Sequence, residues 1–119
     1  MEYYKNTKSF ENRRGESRKI MEKYPDRVAI IVEKLNNKTT LPDLDKSKYL
    51  VPHDITSAQF IFIIRKRLKL NSIEAIYIST DDYKIIGGQK LISQIYQTYK
   101  DDDGFLYLKY TQENTFGKN

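Results

Sequence analysis

The sequence carries a glycine two residues before its final position. Residues 115–119 read Thr-Phe-Gly-Lys-Asn. Because glycine has no Cβ, an extended tail ending at Gly117 could pass through a narrow enzyme channel, and its carboxylate would be unhindered toward nucleophiles. This chemistry is typical of a protein that is trimmed and then joined to a second molecule. An ordinary frayed terminus, in which Gly, Lys and Asn are common, is the alternative.

The other reactive residue types do not form a catalytic or metal-binding set. The chain has no cysteine, which excludes a disulfide, a cysteine-based zinc site and a thiol nucleophile. Its one histidine, His53, has no companion for a triad or a metal site. The aspartates at 101–103 lack the spacing and the distal Glu of a calcium loop, so we predict a solvated turn there. We therefore expect no enzyme activity, no metal and no cofactor.

Charge is unevenly distributed along the chain. The 119 residues include 21 Lys and Arg against 16 Asp and Glu, a net charge of +5, and basic side chains outnumber acidic ones in residues 1–27. This segment could contact acidic peptides, phosphates, anionic lipid or acidic protein tails, or it could be a solvated helix face. The ten tyrosines could stack on single-stranded nucleic acid, but no RNA-binding signature accompanies them, so we expect no nucleic-acid partner.

Length and hydropathy predict a single domain. A chain of 119 residues is large enough to bury one core and too small for two. It has no apolar run approaching ~18 residues and no charged-then-apolar leader, so we expect neither a membrane-spanning helix nor a signal peptide. A cytosolic or nuclear protein follows from this pattern.

Two segments decide the predicted fold. Residues 27–33 are apolar at both parities, which is typical of a central strand buried on both faces. Residues 56–68 have strand propensity, yet Thr56 followed three residues later by Gln59 forms a capping-box pattern and favours a buried helix. The other predicted elements are helices at 3–8, 9–24 and 89–99 and strands at 48–51, 75–79 and 105–111. This order predicts an α+β domain of the ubiquitin-like β-grasp type, a four-stranded mixed sheet with two extra N-terminal helices.

The second predicted strand, 48–51, offers a binding site. By strand parity, Lys48 and Leu50 should face the layer of the N-terminal helix, whereas Tyr49 and Val51 should face the helix at 56–68. An edge strand that is apolar at both parities leaves two hydrophobic pockets and a row of unpaired backbone groups. An extended peptide could add there as a further strand, with two side-chain anchors for specificity.

Longer motifs resemble those of a known family. The specific strings are Lys-Tyr-Leu-Val-Pro at 48–52, Ile-Arg-Lys-Arg at 64–67 and Asn-Thr-Phe-Gly at 114–117, and shorter ones lie at 10–11, 13–14, 23–28, 44–46, 59–60, 95–97 and 103–107. With these strings in the family order, the chain resembles the autophagy ubiquitin-like modifiers, the autophagy-related protein eight family that includes the GABA-receptor-associated protein. The resemblance implies a ubiquitin-like core at 25–117, behind an N-terminal helical subdomain, 1–24, that packs on the sheet.

The resemblance also implies processing and lipid attachment at the tail. A dedicated cysteine protease would cut between Gly117 and Lys118, beside Phe116, and remove residues 118–119. Ubiquitin-activating-like and conjugating-like enzymes would then transfer the Gly117 carboxylate to the amine of phosphatidylethanolamine, whose two acyl chains are about the number that stable anchoring needs. The protein would be cytoplasmic when free and would lie on autophagosome or vesicle membranes when lipidated. It would need no other cofactor.

By resemblance, the two pockets would bind receptors that carry an aromatic-x-x-Leu/Ile/Val motif. The aromatic pocket would be formed by Glu16, Ile20, Ala29, Ile31, Lys48, Leu50 and Phe105. The aliphatic pocket would be formed by Tyr49, Val51, Pro52, Ile55, Phe60, Ile63 and Ile64. Acidic residues that flank the motif would pair with Arg27, Lys46, Lys48 and Arg67, which raises association rate more than affinity.

Two departures from the family pattern bear on these pockets. The family commonly has proline where Ala29 stands, so the aromatic pocket could be softer or wider here. Residues 81–90 lack the usual paired prolines before the last helix. The alternative function is an unconjugated cytosolic adaptor, in which the groove links receptors or vesicles to the cytoskeleton and the basic N-terminal helix contacts tubulin.

Overall fold

A computed structural model of the protein describes residues 3–36 and 40–112. Its helices are α1 (Tyr4–Thr7), α2 (Phe10–Lys23), α3 (Ser57–Leu68) and α4 (Ile92–Tyr99). Its strands are β1 (Arg27–Lys34), β2 (Lys48–Pro52), β3 (Tyr77–Thr80), β4 (Ile85–Ile86) and β5 (Leu106–Thr111). The predicted α+β class is confirmed. Among the described residues, none of the helices has the length and hydrophobicity that a membrane-spanning segment requires.

The sheet has the strand order β2-β1-β5-β3-β4. β1 and β2 form an antiparallel hairpin, with Ala29 opposite Leu50. β5 joins the other side of β1 in parallel, with Ile30 opposite Leu106. β1 is therefore an interior strand, and residues 28–32 are all buried, as its apolar character at both parities predicts. β2 lies at the edge of the sheet.

The prediction of four strands is wrong, because β4 adds a fifth. β4 consists of two residues, and Ile86 stands opposite Ile78 of β3. A two-residue strand has no hydrophobic period that a sequence could display. Pairing with β3 alone defines this strand. The turn between β3 and β4 is tight, and Tyr83 within it adopts a φ of 66°.

Local caps set the limits of the two long helices. The Ser9 hydroxyl accepts the Asn12 amide at the start of α2, and the chain leaves that helix just before Pro25. At α3 both halves of the predicted capping box are present: the Gln59 amide donates to the Thr56 Oγ1 at 3.1 Å, and the Thr56 amide donates to the Gln59 Oε1 at 2.8 Å. The capping box therefore identified a helix in a segment with strand propensity.

The two faces of the sheet bury two clusters of unequal size. Val28, Ile30 and Val32 of β1 point into the larger cluster, which α3 and α4 cover. Ala29 and Ile31 point the other way into a smaller cluster with Phe105 and Tyr107. Because successive strand residues face opposite sides, one strand supplies both cores.

The prediction of a solvated turn at 101–103 is wrong for Asp103, whose exposed fraction is 0 %. Its carboxylate pairs with Arg13 of α2 at 2.6 Å and accepts the Phe105 amide at 2.8 Å. The next residue, Gly104, has a φ of 94°, and a Cβ there would lie 2.4 Å from the Ser17 Oγ. The Ser17 hydroxyl donates a hydrogen bond to the Asp103 carbonyl, and this bond together with the Arg13–Asp103 pair holds α2 against the loop before β5.

Candidate peptide-binding groove

β2 contributes side chains to both faces of the sheet at its edge. Tyr49 and Val51 are each 4 % exposed and belong to the larger cluster with Phe60 of α3. Leu50 is half-buried and packs against the smaller cluster, as does Ile20 of α2. This is the arrangement that strand parity predicts, and it puts apolar groups on either side of a strand edge that no other strand in the described residues covers.

The predicted aromatic-pocket residues come together on the α2 side of β2. Ala29, Ile31 and Phe105 are each 0 % exposed and form the floor. Ile20 and Leu50 are partly exposed and form the walls. Because the floor is fully covered, an incoming side chain would contact it only after a covering side chain had moved.

Two tyrosines that sequence reasoning missed belong to the same cluster. Tyr107 is 3 % exposed and shares with Phe105 the parity of β5 that faces α2, a signal that alternation along the strand could have revealed. Tyr4, on the four-residue helix α1, packs edge-on against Phe105 with ring centroids 5.6 Å apart. A helix this short shows no hydrophobic period, so nothing in the sequence indicated where Tyr4 would pack.

Glu16 links the groups at the rim of this pocket. Its carboxylate accepts a hydrogen bond from the Tyr4 hydroxyl and pairs with the Lys48 ammonium. The Lys8 ammonium lies 3.4 Å from the same carboxylate. Burial lowers the pKa of Lys48, with the neighbouring charge of Lys8 acting in the same direction, while burial raises the pKa of Tyr4 and keeps its hydroxyl a donor.

The predicted aliphatic-pocket residues lie where β2 meets α3. Phe60 and Ile64 are fully buried, and the Tyr49 and Phe60 rings meet edge to face with centroids 6.4 Å apart. Ile55 and Ile63 are partly exposed and Pro52 is exposed, so these residues form the accessible rim over a core floor. Much of the predicted pocket is thus ordinary core, and a ligand would contact its rim.

Each of the predicted acidic-flank cations already contacts a group in the chain. Arg67 donates two hydrogen bonds to the Asp45 carboxylate, at 2.9 and 2.8 Å, which raise the pKa of Arg67 and lower that of Asp45. The Lys46 ammonium lies 4.9 Å from the centre of the Tyr49 ring. Arg27 stacks over Tyr24 at the far end of the β1–β2 hairpin. The Asp45–Arg67 pair is well exposed and costs little to exchange for a peptide carboxylate.

The predicted attachment residues Phe116 and Gly117 lie outside the described residues. β5, the last described strand, ends at Thr111 opposite Tyr77 at the start of β3. In the parallel pair, Tyr110 lies opposite Lys34 at the end of β1. The chain therefore leaves the sheet at the end where β1 finishes and β2 begins.

Comparisons with known proteins agree with this fold. The profile of the family described as autophagy protein Atg8, ubiquitin-like, matches residues 12–117. Autophagy-related protein 8 of Mycosarcoma maydis is 49 % identical over 115 residues, 97 % of this chain and 96 % of that protein. Autophagy-related protein 8e of Arabidopsis thaliana is 49 % identical over 114 residues, 96 % of this chain and 92 % of that protein.

A solved structure matches as well. The crystal structure of Trypanosoma brucei ATG8 superposes with a TM-score of 0.88 at 40 % identity and covers 98 % of this chain and 99 % of that one. The family resemblance and the ubiquitin-like fold expected from the sequence are both confirmed. The chain belongs to the Atg8 family of ubiquitin-like autophagy proteins, which are modifiers and not enzymes.

Proposed function

We propose that this modifier is conjugated through Gly117 to phosphatidylethanolamine and recruits receptors to the forming autophagosome by binding their peptide motifs. The observation that carries the proposal is the edge strand β2, which has a buried apolar cluster on each face and an open strand edge between them. Membership of the Atg8 family supports it independently. The protein would be cytoplasmic when free and would lie on autophagosome or vesicle membranes once it is lipidated.

The peptide would add to β2 as a further strand. Its main chain would pair with the outward-facing backbone groups of β2. Two side chains three residues apart point to opposite faces of a strand, and each would enter one of the two pockets. An aromatic residue would reach toward Phe105 between Ile20 and Leu50. Three residues later, Leu, Ile or Val would cover the rim made by Ile55 and Ile63.

Conjugation would require other proteins, because the chain supplies no thiol of its own. A cysteine protease would remove residues 118–119, so that the ubiquitin-like core and tail, residues 25–117, would end at Gly117. Ubiquitin-activating-like and conjugating-like enzymes would carry the Gly117 carboxylate as a thioester and pass it to the lipid amine. The two acyl chains would then anchor the domain to the membrane.

Intact-mass analysis of the protein from its own cells tests the conjugation. We expect loss of Lys118 and Asn119 and a gain equal to one phosphatidylethanolamine less the one water molecule that leaves when the amide bond forms. The Gly117→Ala variant should keep its fold and remain unlipidated, because a methyl group at that position obstructs the narrow channel of the processing enzyme. A wild-type protein found only at full length, or a lipidated Gly117→Ala variant, would contradict the proposal.

A second candidate function has one observation in its favour. Arg14, Arg18 and Lys19 are exposed along α2. A basic helix face of this kind could bind an acidic surface such as that of tubulin. The protein would then be an unconjugated adaptor between receptors or vesicles and the cytoskeleton, and the same mass measurement separates the two functions.

A further inference from the structure

Tyr4 occupies the approach to the aromatic pocket. Among the described residues, the partly exposed apolar side chains on the smaller cluster are Tyr4, Ile20 and Leu50. The Tyr4 ring stands edge-on to Phe105 at a centroid distance of 5.6 Å, within the range of direct aromatic contact. A second ring cannot enter between two rings at that distance. A peptide aromatic that reaches Phe105 must therefore displace Tyr4.

The helix that carries Tyr4 is short and has little buried surface. None of the residues of α1 is fully buried, and Tyr4 is the residue of α1 that packs against the smaller cluster. Its other attachments include polar contacts: the Tyr4 amide donates to the Glu33 carboxylate at 2.6 Å, and the Lys5 ammonium pairs with Asp101 at 2.7 Å. Lys8 and Ser9 are both extended and join α1 to α2. Elements with few buried apolar contacts open at the lowest free-energy cost, and a two-residue extended joint lets α1 swing while α2 stays.

Polar contacts with Glu16 and Lys48 hold Tyr4 in the closed position, and an acidic peptide could break them. The Tyr4 hydroxyl donates to Glu16, and Glu16 pairs with Lys48 of β2, whose ammonium also lies 5.5 Å from the centre of the Tyr4 ring. A peptide carboxylate that pairs with Lys48 would compete with Glu16 for it. Tyr4 and Glu16 would then lose one of their two cations, since the Lys8 ammonium also lies 5.4 Å from the centre of the Tyr4 ring and 3.4 Å from the Glu16 carboxylate.

We propose that Tyr4 is an internal occupant of the aromatic pocket, held by the Glu16–Lys48 pair, and that a peptide must expel it to bind. This inference rests on the proposed peptide-binding function and adds regulation to it. The apparent affinity for every aromatic peptide is the intrinsic affinity multiplied by the fraction of molecules in the open state. Peptides that also carry an acidic residue near Lys48 lose less apparent affinity. Tyr4 therefore makes the groove select peptides that have both an aromatic and an acidic residue.

Peptide titration of Tyr4 variants tests the proposal. The chain has no tryptophan, so the fluorescence of a Trp-x-x-Leu peptide with acidic residues before the Trp reports on the pocket directly. We expect Tyr4→Ala to tighten binding about tenfold, the factor for a pocket closed in roughly nine molecules of ten. Tyr4→Phe keeps the ring and loses the hydroxyl contact, and it should fall between Tyr4→Ala and the wild type. Asn6→Ala, on the same helix and exposed, should match the wild type.

The same experiment separates this inference from the groove assignment. If the wild type binds, Leu50→Ala loses binding and Tyr4→Ala binds equally well or more weakly, then Tyr4 is not an occupant and the inference alone fails. If neither the wild type nor Tyr4→Ala binds the peptide, the groove assignment fails and the inference fails with it. Nuclear Overhauser contacts between the Tyr4 and Phe105 rings should be present in the free protein and absent once peptide saturates it. Their persistence in the complex would also overturn the inference.

Discussion

Asp103 connects α2 to the ubiquitin-like core through a single buried carboxylate. It accepts from the Tyr107 hydroxyl at 2.5 Å as well as from Arg13 and the Phe105 amide. Burial, together with this carboxylate, holds the pKa of Tyr107 far above its usual value, so the phenol stays a donor. Full burial is tolerable for a charge only when its partners satisfy it, and here α2 supplies the cation.

Replacement of Arg13 should therefore destabilise the fold strongly. In Arg13→Met the Asp103 carboxylate keeps its burial and loses its counter-ion, and we expect the free energy of unfolding to fall by about 3–5 kcal/mol. Urea denaturation of the purified variant measures this loss. Arg14→Met is the matched control, because Arg14 is exposed, and it should stay within about 0.5 kcal/mol of the wild type. Equal losses in the two variants would mean that the Arg13–Asp103 pair does not hold α2.

At the scale of elements, most predictions about the groove concern β2 and α3. Alternation along residues 48–51 correctly placed Tyr49 and Val51 on one face of the sheet and Leu50 on the other, because alternation is a local property of any strand. The capping box at Thr56 is equally local. The position of β2 at the sheet edge depends on pairing with β1, and the parallel addition of β5 leaves the other edge of β2 open.

Strand addition at β2 predicts that single peptide amides differ in importance. N-methylation of a peptide amide that points toward β2 should weaken binding at least about tenfold, since it removes one hydrogen bond and leaves a carbonyl of β2 without its donor. N-methylation of the next amide along, which points to solvent in an extended strand, should change affinity little. Isothermal titration calorimetry compares the two peptides. Similar losses for both would exclude strand addition as the mode of binding.

At the scale of the whole molecule, the net charge of +5 gives the groove an electrostatic bias. The cations Lys46, Lys48, Arg27 and Arg67 lie around the edge strand, and each has an internal contact that a peptide carboxylate could replace. Exposed pairs of this kind add little stability. They act mainly on the encounter between protein and peptide.

Salt should therefore slow association more than it speeds dissociation. For a peptide with acidic flanking residues, we expect the association rate constant to fall about tenfold between roughly 20 mM and 500 mM salt, with a much smaller change in the dissociation rate constant. Stopped-flow fluorescence measures both. A peptide whose flanks are neutral serves as the control and should show a weak salt dependence. Salt effects of the same size on both peptides would remove the predicted role of the four cations.

The sequence by itself determined the features that depend on near neighbours along the chain and on recognisable motifs. Helix caps, strand parity, the α+β order and the family strings all belong to this class, while the attachment at Gly117 stays a prediction from the same strings. Tertiary structure alone decided features made by residues far apart: the fifth strand, the burial of Asp103 against Arg13, and the position of Tyr4 over Phe105. The physical reason is that a two-residue strand, a single carboxylate and a four-residue helix have no period of their own, so only the partners that the fold brings to them fix their roles.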